Sequence, residues 1–150
     1  VGDAVESGLR QIERLVGHDE IEQLYATYNH LVDAGLGSRW AALFVDEGTL
    51  DTGFGMFVDG TPSARTEFGD GVPLMMPGSR HVASNVRIQV DGDTATGAAY
   101  LQLWVADEES GGTKVMVSGV YRDTLRRDGG TWKFVTRALI PDAGGPVPID

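Results

Sequence analysis

The side chains best suited to acid–base chemistry are a histidine, a tyrosine, an aspartate and an arginine spread along the chain: His81, Tyr28, Asp33 and Arg137. A histidine exchanges protons near neutral pH, and a tyrosine remains a hydrogen-bond donor there. Such a pair can remove the α-proton of a β-hydroxy carbonyl compound and stabilise the enolate, so that water is lost without a cofactor. The four residues therefore indicate proton transfer on an oxygenated small molecule.

Local sequence leaves a second interpretation open for the helical residues. Tyr28 lies in the apolar stripe of a predicted helix, where plain core packing with a bonded hydroxyl is an alternative. Asp33 is about 140° away from Tyr28 around that helix, so both reach one cavity only if the helix ends near Asp33. Asp33 could also simply end the helix or pair with Arg39.

The strand residues have structural alternatives as well. His81 begins a predicted strand and shares a face with Asn85, and a structural hydrogen bond would explain it equally well. Arg137 could form a cross-strand ion pair with Asp123 or Glu67. A metal site built on His30, His81 and Asp33 lacks any HxH or HExxH spacing, so no metal is expected.

Hydrophobic periodicity predicts helices in the first third of the chain. The first runs from Asp3 to Val16, and Gly17 is expected to end it. The second begins with Asp19 as its cap, and the third is a short segment from Ser38 to Phe44. A further short helix is expected within Thr61–Asp70.

After Asp46 the period changes to two, which is typical of strands. The predicted strands are Thr49–Phe54, Gly55–Asp59, His81–Val90, Thr94–Ala106, Lys114–Arg126 and Thr131–Ile140. Between them, Gly71–Ser79 is a predicted loop that carries Met75 and Met76 and could form a lid or pocket mouth. The last residues, Pro141–Asp150, are expected to form a loose tail.

Helices followed by antiparallel strands indicate the α+β class in a single domain over residues 1–150. Strands this long should curl strongly, and helices laid across the concave face would enclose a cavity for a small hydrophobic molecule. The side chains expected to bind substrate there are Asn85, Trp40, Phe57, Met75, Met76, Tyr100, Gln102 and Trp104.

The opposite faces of two strands are also apolar, at Val86, Ile88 and Val90 and at Leu101, Leu103 and Val105. A sheet that is apolar on both faces needs a cover on both faces. Because twofold dimers are the commonest assembly, this pattern predicts a homodimer.

Composition excludes several classes of function. The chain has 150 residues and a formal net charge of −10, which argues against a nucleic-acid partner and against anionic membrane surfaces. No apolar run approaches the roughly 20 residues of a membrane-spanning helix, and no signal peptide is visible. The sequence contains no cysteine, so disulfides and thiolate chemistry are absent, and a cytoplasmic location is the default expectation.

Several short segments in this order resemble the SnoaL-like branch of the NTF2-like superfamily. They are Asp19–Leu24 leading to Tyr28 and Asp33, then Trp40–Phe44, Arg80–Asn85, Gly119–Asp123 and Trp132–Arg137. The resemblance covers roughly residues 18–140 and implies a cone-shaped α+β barrel of the cystatin/NTF2-like type, with N-terminal helices on a strongly curved, mostly antiparallel sheet. The superfamily includes polyketide cyclases, dehydratases and ketosteroid isomerase, together with non-catalytic binding proteins.

The four residues resemble the site of the SnoaL-like dehydratases. By that resemblance His81 is the general base or proton shuttle, Tyr28 donates to a substrate oxygen, Asp33 orients its neighbours, and Arg137 polarises a carbonyl or holds a carboxylate. The implied function is a cofactor-independent dehydratase, isomerase or cyclase acting on a polyketide, steroid or terpenoid type of molecule. The second acid–base residue of the dehydratases has no counterpart here, which leaves a non-catalytic ligand-binding or partner-subunit module as the alternative.

Overall fold

The computed structural model describes residues 1–144. In chain order the elements are α1 (Gly2–Asp33), α2 (Gly37–Ala41), β1 (Phe44–Asp51), β2 (Phe57–Val58), α3 (Pro62–Met75), β3 (Arg80–Asp91), β4 (Thr94–Asp107), β5 (Gly112–Asp128) and β6 (Thr131–Pro141), with a 3-10 turn at Asp142–Gly144. Most of the tail predicted after residue 140 lies outside the described residues. None of the helices in the described part of the chain is long and apolar enough to cross a membrane.

The strands form one curved sheet in the order β2-β1-β6-β5-β4-β3. Only β1 and β6 pair in parallel, and every other neighbouring pair is antiparallel. The main core lies between the helices and the inner face of this sheet, centred on aromatic residues such as Trp40, Phe44 and Phe134. The α+β class with a mostly antiparallel curved sheet is thus confirmed.

Helix α1 is continuous, so the prediction that Gly17 separates two helices is wrong. A Cβ atom at Gly17 would lie 3.4 Å from Val90 and 3.6 Å from the Trp132 ring. Both are ordinary van der Waals distances, so Gly17 lies against the sheet within the helix and does not end it. Before Gly17 the apolar side chains are exposed, and after it they are buried in the core.

Helix α3 is longer than the sequence indicates, and it absorbs much of the segment predicted as a loop. Its start agrees with expectation, because Thr61 accepts a hydrogen bond from the Ala64 N–H and Pro62 occupies the first turn. Its end does not, because Pro73 lies inside the helix. The burial of Val72 against the core supplies the packing that local sequence signals do not report.

A buried arginine fixes α3 to β1. Arg65 donates from Nη1 to the Gly48 carbonyl at 2.5 Å and from Nη2 to the Val45 and Asp46 carbonyls at 2.9 and 3.1 Å. The pairing of β1 with β6 is irregular over this stretch, so these carbonyls need other donors. Arg65 supplies them from a side chain that is 1% exposed.

The sheet faces differ from the prediction because of a β-bulge in β3. Asn85 adopts a φ of 52°, and the register with β4 shifts between Ser84 and Arg87. One extra residue reverses the alternation, so Val86, Ile88 and Val90 lie on the same inner face as Ala83 and pack on the core. In β4, Leu101, Leu103 and Val105 are also buried on the inner face. These residues therefore do not form the outer apolar face from which the homodimer was predicted. The homodimer stays a prediction.

Candidate active site

A largely apolar cavity of about 130 Å³ lies between the helices and the inner face of the sheet. Leu101, Leu103 and Leu139 contribute to its wall from β4 and β6. Exposed Phe54 and Met116 also line it and mark the side where it meets the surface. The polar side chains among the described lining residues are those of Tyr28, Thr52, His81 and Tyr121.

His81 and Asp33 form a hydrogen-bonded pair at this cavity. His81 Nδ1 lies 2.6 Å from Asp33 Oδ1, and the His81 backbone N–H donates to Asp33 Oδ2 at 3.0 Å. The two side chains are only 10% and 8% exposed. Because Nδ1 is engaged by the carboxylate, Nε2 is the ring nitrogen left for a molecule in the cavity. This nitrogen makes no hydrogen bond to another group within residues 1–144.

Local sequence explains where the helix that carries Asp33 ends and where the strand that carries His81 begins. Helix α1 ends at Asp33, and Gly35 then takes a φ of +66°, which reverses the chain. The Leu36 N–H donates back to the Leu31 carbonyl at 3.0 Å. Strand β3 begins at Arg80, so His81 is aligned by ladder pairing with Leu103. Asp33 thus does end the helix, and it pairs with His81 instead of Arg39.

A second buried cluster lies on the inner face of β5 and β6. Arg137 donates from Nε and Nη2 to the two carboxylate oxygens of Asp123, both at 2.8 Å. The Tyr25 hydroxyl donates to the same carboxylate. Arg137 and Asp123 are opposite each other in the β5–β6 ladder, which fixes the fork-to-fork geometry. The cross-strand ion pair with Asp123, one of the two alternatives, is what the structure contains.

Four aromatic rings enclose the Arg137 guanidinium. Its central carbon lies 3.9 Å from the ring centroid of Tyr121, 4.3 Å from those of Tyr28 and Phe134, and 4.6 Å from that of Tyr25. Burial alone would lower the pKa of Arg137, but the Asp123 carboxylate outweighs burial, and the pKa lies well above its ordinary value. Arg137 therefore stays charged behind the cavity wall.

Three buried phenols stay neutral in this cluster. Burial raises the pKa of Tyr28 and of Tyr121 above the ordinary tyrosine value. Burial also raises the pKa of Tyr25, and the negative charge of Asp123 raises it further. Because Tyr28 and Tyr121 both line the cavity, they are present there as hydrogen-bond donors at neutral pH.

These raised pKa values predict instability at high pH. Each phenol holds its proton more tightly in the folded chain than in the unfolded one. Its contribution is therefore fully present below pH ~10, the ordinary tyrosine pKa, and is lost as the pH rises above it. We expect the unfolding free energy to fall by about 1.4 kcal/mol per pH unit for each of Tyr25, Tyr28 and Tyr121. Urea unfolding between neutral pH and pH ~11 measures this slope, and a flat profile would contradict the burial argument.

Gly97 makes room for the Tyr25 hydroxyl. A Cβ atom at this position would overlap Oη of Tyr25 and lie 3.2 Å from Cζ. We expect Gly97→Ala to destabilise the protein by about 2 kcal/mol through overpacking. Tyr25→Phe removes the overlapping oxygen, so the double variant should lose less stability than the sum of the single variants. Additive losses in urea unfolding would show that the hydroxyl is not the obstacle.

The structure brings together most of the residues predicted for catalysis. Tyr28 and His81 line the cavity, and Asp33 contacts His81 from behind. Arg137 lies behind two of the lining rings, with two of its nitrogens directed at Asp123 rather than at the cavity.

The residues predicted to bind substrate are scattered. Met76 lines the cavity, whereas the side chains of Met75 and Phe57 are 54% and 60% exposed and do not line it. Trp40 is fully buried behind Tyr28, with ring centroids 5.3 Å apart. Trp40 therefore belongs to the core that supports the cavity wall.

The prediction that Tyr100, Gln102 and Trp104 line the cavity is wrong. In β4 the buried positions alternate with these three residues, and the inner face carries Leu101 and Leu103 instead. Large apolar or aromatic side chains on both faces made the alternation ambiguous. Asn85 is also outside the cavity, because it is the exposed bulge residue and does not share a face with His81.

Sequence reasoning missed two parts of the site. Tyr121 lines the cavity beside Tyr28, with ring centroids 6.3 Å apart. Tyr25 joins Asp123 from α1, one helical turn before Tyr28. The sequence could have indicated Tyr121, because it is two residues from Asp123 on β5 and alternate residues of a strand share a face. Their neighbours on β5 are exposed or half-exposed.

Comparison with known proteins identifies the family of this chain. The family model described as a SnoaL-like domain matches residues 13–138. The chain belongs to the SnoaL-like family. Among proteins with curated descriptions, none matches its sequence.

Solved structures support the same fold for this SnoaL-like protein. A Mycobacterium tuberculosis protein of unknown function is 29% identical over 85% of this chain and 73% of its own, with a TM-score of 0.77. An NTF2-like protein with a cystatin-like fold from Novosphingobium aromaticivorans is 26% identical over 90% and 86%, also with a TM-score of 0.77. A candidate scytalone dehydratase from Novosphingobium aromaticivorans is 24% identical over 85% of both chains, with a TM-score of 0.74, and shows the fold alone.

Proposed function

We propose that this SnoaL-like protein is a cofactor-independent acid–base enzyme that removes water from a β-hydroxy carbonyl compound. The observation that carries the proposal is the buried Asp33–His81 pair on the wall of an apolar cavity. The SnoaL-like fold supports it, because the same architecture occurs in a candidate scytalone dehydratase. Isomerisation or cyclisation would begin with the same proton transfer.

His81 is the base in this proposal. Asp33 accepts the proton of Nδ1, so the lone pair is on Nε2, which is the nitrogen free of protein partners in the described chain. When Nε2 takes the α-proton, the imidazolium that forms is stabilised by the adjacent carboxylate. As the enolate forms the conjugated C=C bond and the β C–O bond breaks, the imidazolium returns this proton to the departing hydroxyl, which leaves as water and restores neutral His81. The second bond, from the His81 backbone to Asp33, holds the carboxylate in place.

Tyr28 and Tyr121 are the donors. Both phenols line the cavity and stay protonated, so either can donate to a substrate carbonyl whose oxygen becomes negative as the enolate forms. The Arg137 guanidinium, paired with Asp123, lies directly behind both rings and holds them in place by cation–π contact. Arg137 thus acts through the phenols rather than by touching the substrate.

The apolar wall strengthens both effects. Leucine, valine and methionine side chains make up most of the lining, so little water competes for the donors. A closed core without His81 at a cavity would have favoured the non-catalytic alternative. The placement of His81 instead supports catalysis.

Proton exchange tests the proposal without knowledge of the natural substrate. We expect the wild-type protein in D2O to accelerate deuterium incorporation next to the carbonyl of β-hydroxycyclohexanone and its conversion to cyclohexenone, both followed by NMR. His81→Asn should abolish the acceleration, while the exposed His30→Asn control should retain it. Equal rates in wild type and His81→Asn would overturn the proposal.

A further inference from the structure

We infer that the substrate is uncharged and that the part enclosed with His81 is no larger than a single six-membered ring. This inference rests on the proposed function and narrows its substrate class. It excludes carboxylate and phosphate substrates, and it excludes a fused-ring skeleton of the polyketide or steroid type that is enclosed whole beside His81. Two independent observations carry it, namely the charge around the cavity and its volume.

The cavity offers no partner for a charged group. Among the described lining residues there is no lysine, arginine, aspartate or glutamate. The one carboxylate near His81 belongs to Asp33, which His81 already covers through Nδ1 and its backbone N–H. With His81 as the neutral base of the proposal, this pair carries one negative charge, which disfavours an anion, and both carboxylate oxygens are already engaged by His81, so a cation finds no free carboxylate oxygen. An ion entering the cavity would lose its hydration without gaining a counter-ion.

The nearby guanidinium is already neutralised. Arg137 is 1% exposed and directs Nε and Nη2 to the two oxygens of Asp123. The rings of Tyr28 and Tyr121 both cover this guanidinium and line the cavity, so they stand between the charge and a bound molecule. Arg137 therefore influences the phenols and does not bind a carboxylate of the substrate. This inference replaces the role of holding a substrate carboxylate, which the sequence resemblance implies for Arg137.

The volume sets the size. The cavity measures about 130 Å³, whereas a dry protein cavity of about 150 Å³ is enough for benzene and common drug-sized pockets exceed about 300 Å³. Leu101, Leu103 and Leu139 close the wall formed by the sheet, so the space does not extend through it. A single neutral ring is therefore the upper limit for the enclosed part of the substrate, and its carbonyl can accept a hydrogen bond from a phenol.

Matched ring compounds test both parts on the full-length wild-type chain. Calorimetry or NMR titration compares cyclohexenone with cyclohexanecarboxylate, with cyclohexylammonium and with the bicyclic ketone decalone. We expect cyclohexenone to bind at least about tenfold more tightly than either ion, and more tightly than decalone. Equal or tighter binding of the carboxylate or the ammonium ion, or no binding of cyclohexenone at millimolar concentration, would overturn the inference on charge.

A pair of leucine variants tests the size limit. Leu139→Ala removes part of the wall and so enlarges the cavity. Leu125→Ala is the control, because it truncates another buried leucine that does not line the cavity. Decalone should bind at least about tenfold more tightly to Leu139→Ala than to wild type and should not gain with Leu125→Ala. Wild type that binds decalone as tightly as cyclohexenone would overturn the size limit.

The binding and exchange experiments together distinguish a failure of the proposed function from a failure of the inference on the cavity. Preference for the neutral ring without proton exchange that depends on His81 would refute the proposed function and leave the inference on the cavity intact. Exchange that depends on His81 together with preference for an anionic ring would do the reverse.

Discussion

Replacing His81 with alanine is expected to lower turnover of a β-hydroxy carbonyl substrate by about 10²-fold or more, the usual scale for loss of a general base. The main effect should fall on kcat, because the imidazole acts on the proton in transit and contributes little to binding a neutral ring. Asp33→Asn should cost roughly 10²- to 10⁴-fold, because an amide no longer favours the tautomer with its lone pair on Nε2. Steady-state kinetics of purified variants measures both losses.

The exposed histidine on α1 supplies the matched control. His30→Ala makes the same chemical change away from the cavity and should keep full turnover. Thermal unfolding of each variant separates loss of chemistry from loss of fold. Retention of wild-type kcat by a folded His81→Ala variant would remove His81 from the mechanism.

Removing the Asp123 carboxylate should cause the largest loss of stability in the molecule. Asp123→Asn leaves the Arg137 guanidinium buried among aromatic rings without an anion and weakens the bond from Tyr25. Breaking one partner of a buried pair in this way costs about 3–5 kcal/mol. Urea unfolding of wild type and Asp123→Asn measures the difference.

Two further variants serve as controls for this prediction. The double variant Asp123→Leu with Arg137→Met removes both charges and should recover much of the stability that Asp123→Asn loses, because no buried ion is left. The surface pair of Asp107 and Lys114, 3.1 Å apart, is the control, and Asp107→Asn should leave the free energy of unfolding nearly unchanged. Similar losses at both pairs would mean that the Asp123–Arg137 pair is effectively solvated.

Local sequence was informative wherever a single element decides the geometry. The apolar stripe that contains Tyr28 predicted a helix there, and Tyr28 is buried on α1. The turns at Asp91–Asp93 and Asp128–Gly130 predicted the hairpins, so strands β3 to β6 were placed within a few residues of their observed bounds. In each case the required signal lies within one turn of helix or one hairpin.

Residues that depend on the alternation of a strand were not assigned correctly. One bulge residue, Asn85, reverses the inner face of β3, and no pattern in the surrounding residues announces it. In β4, both faces carry apolar side chains, so the sequence does not show which face is the inner one. The elements that pack on the strand decide this. The substrate contacts proposed for Tyr100, Gln102 and Trp104 failed for this reason.

The sequence by itself determined the approximate positions of β3 to β6 along the chain, the α+β class and the types of residue available for proton transfer, because these depend on local propensity and period. Only the tertiary structure decided that Asp33 meets His81, that Arg137 is neutralised by Asp123, and that the cavity is small and uncharged. These contacts join residues 48 and 14 positions apart, and they depend on how a bulged, curved sheet packs against one long helix. Packing of distant segments is a property of the whole core, so no single stretch of residues carries that information.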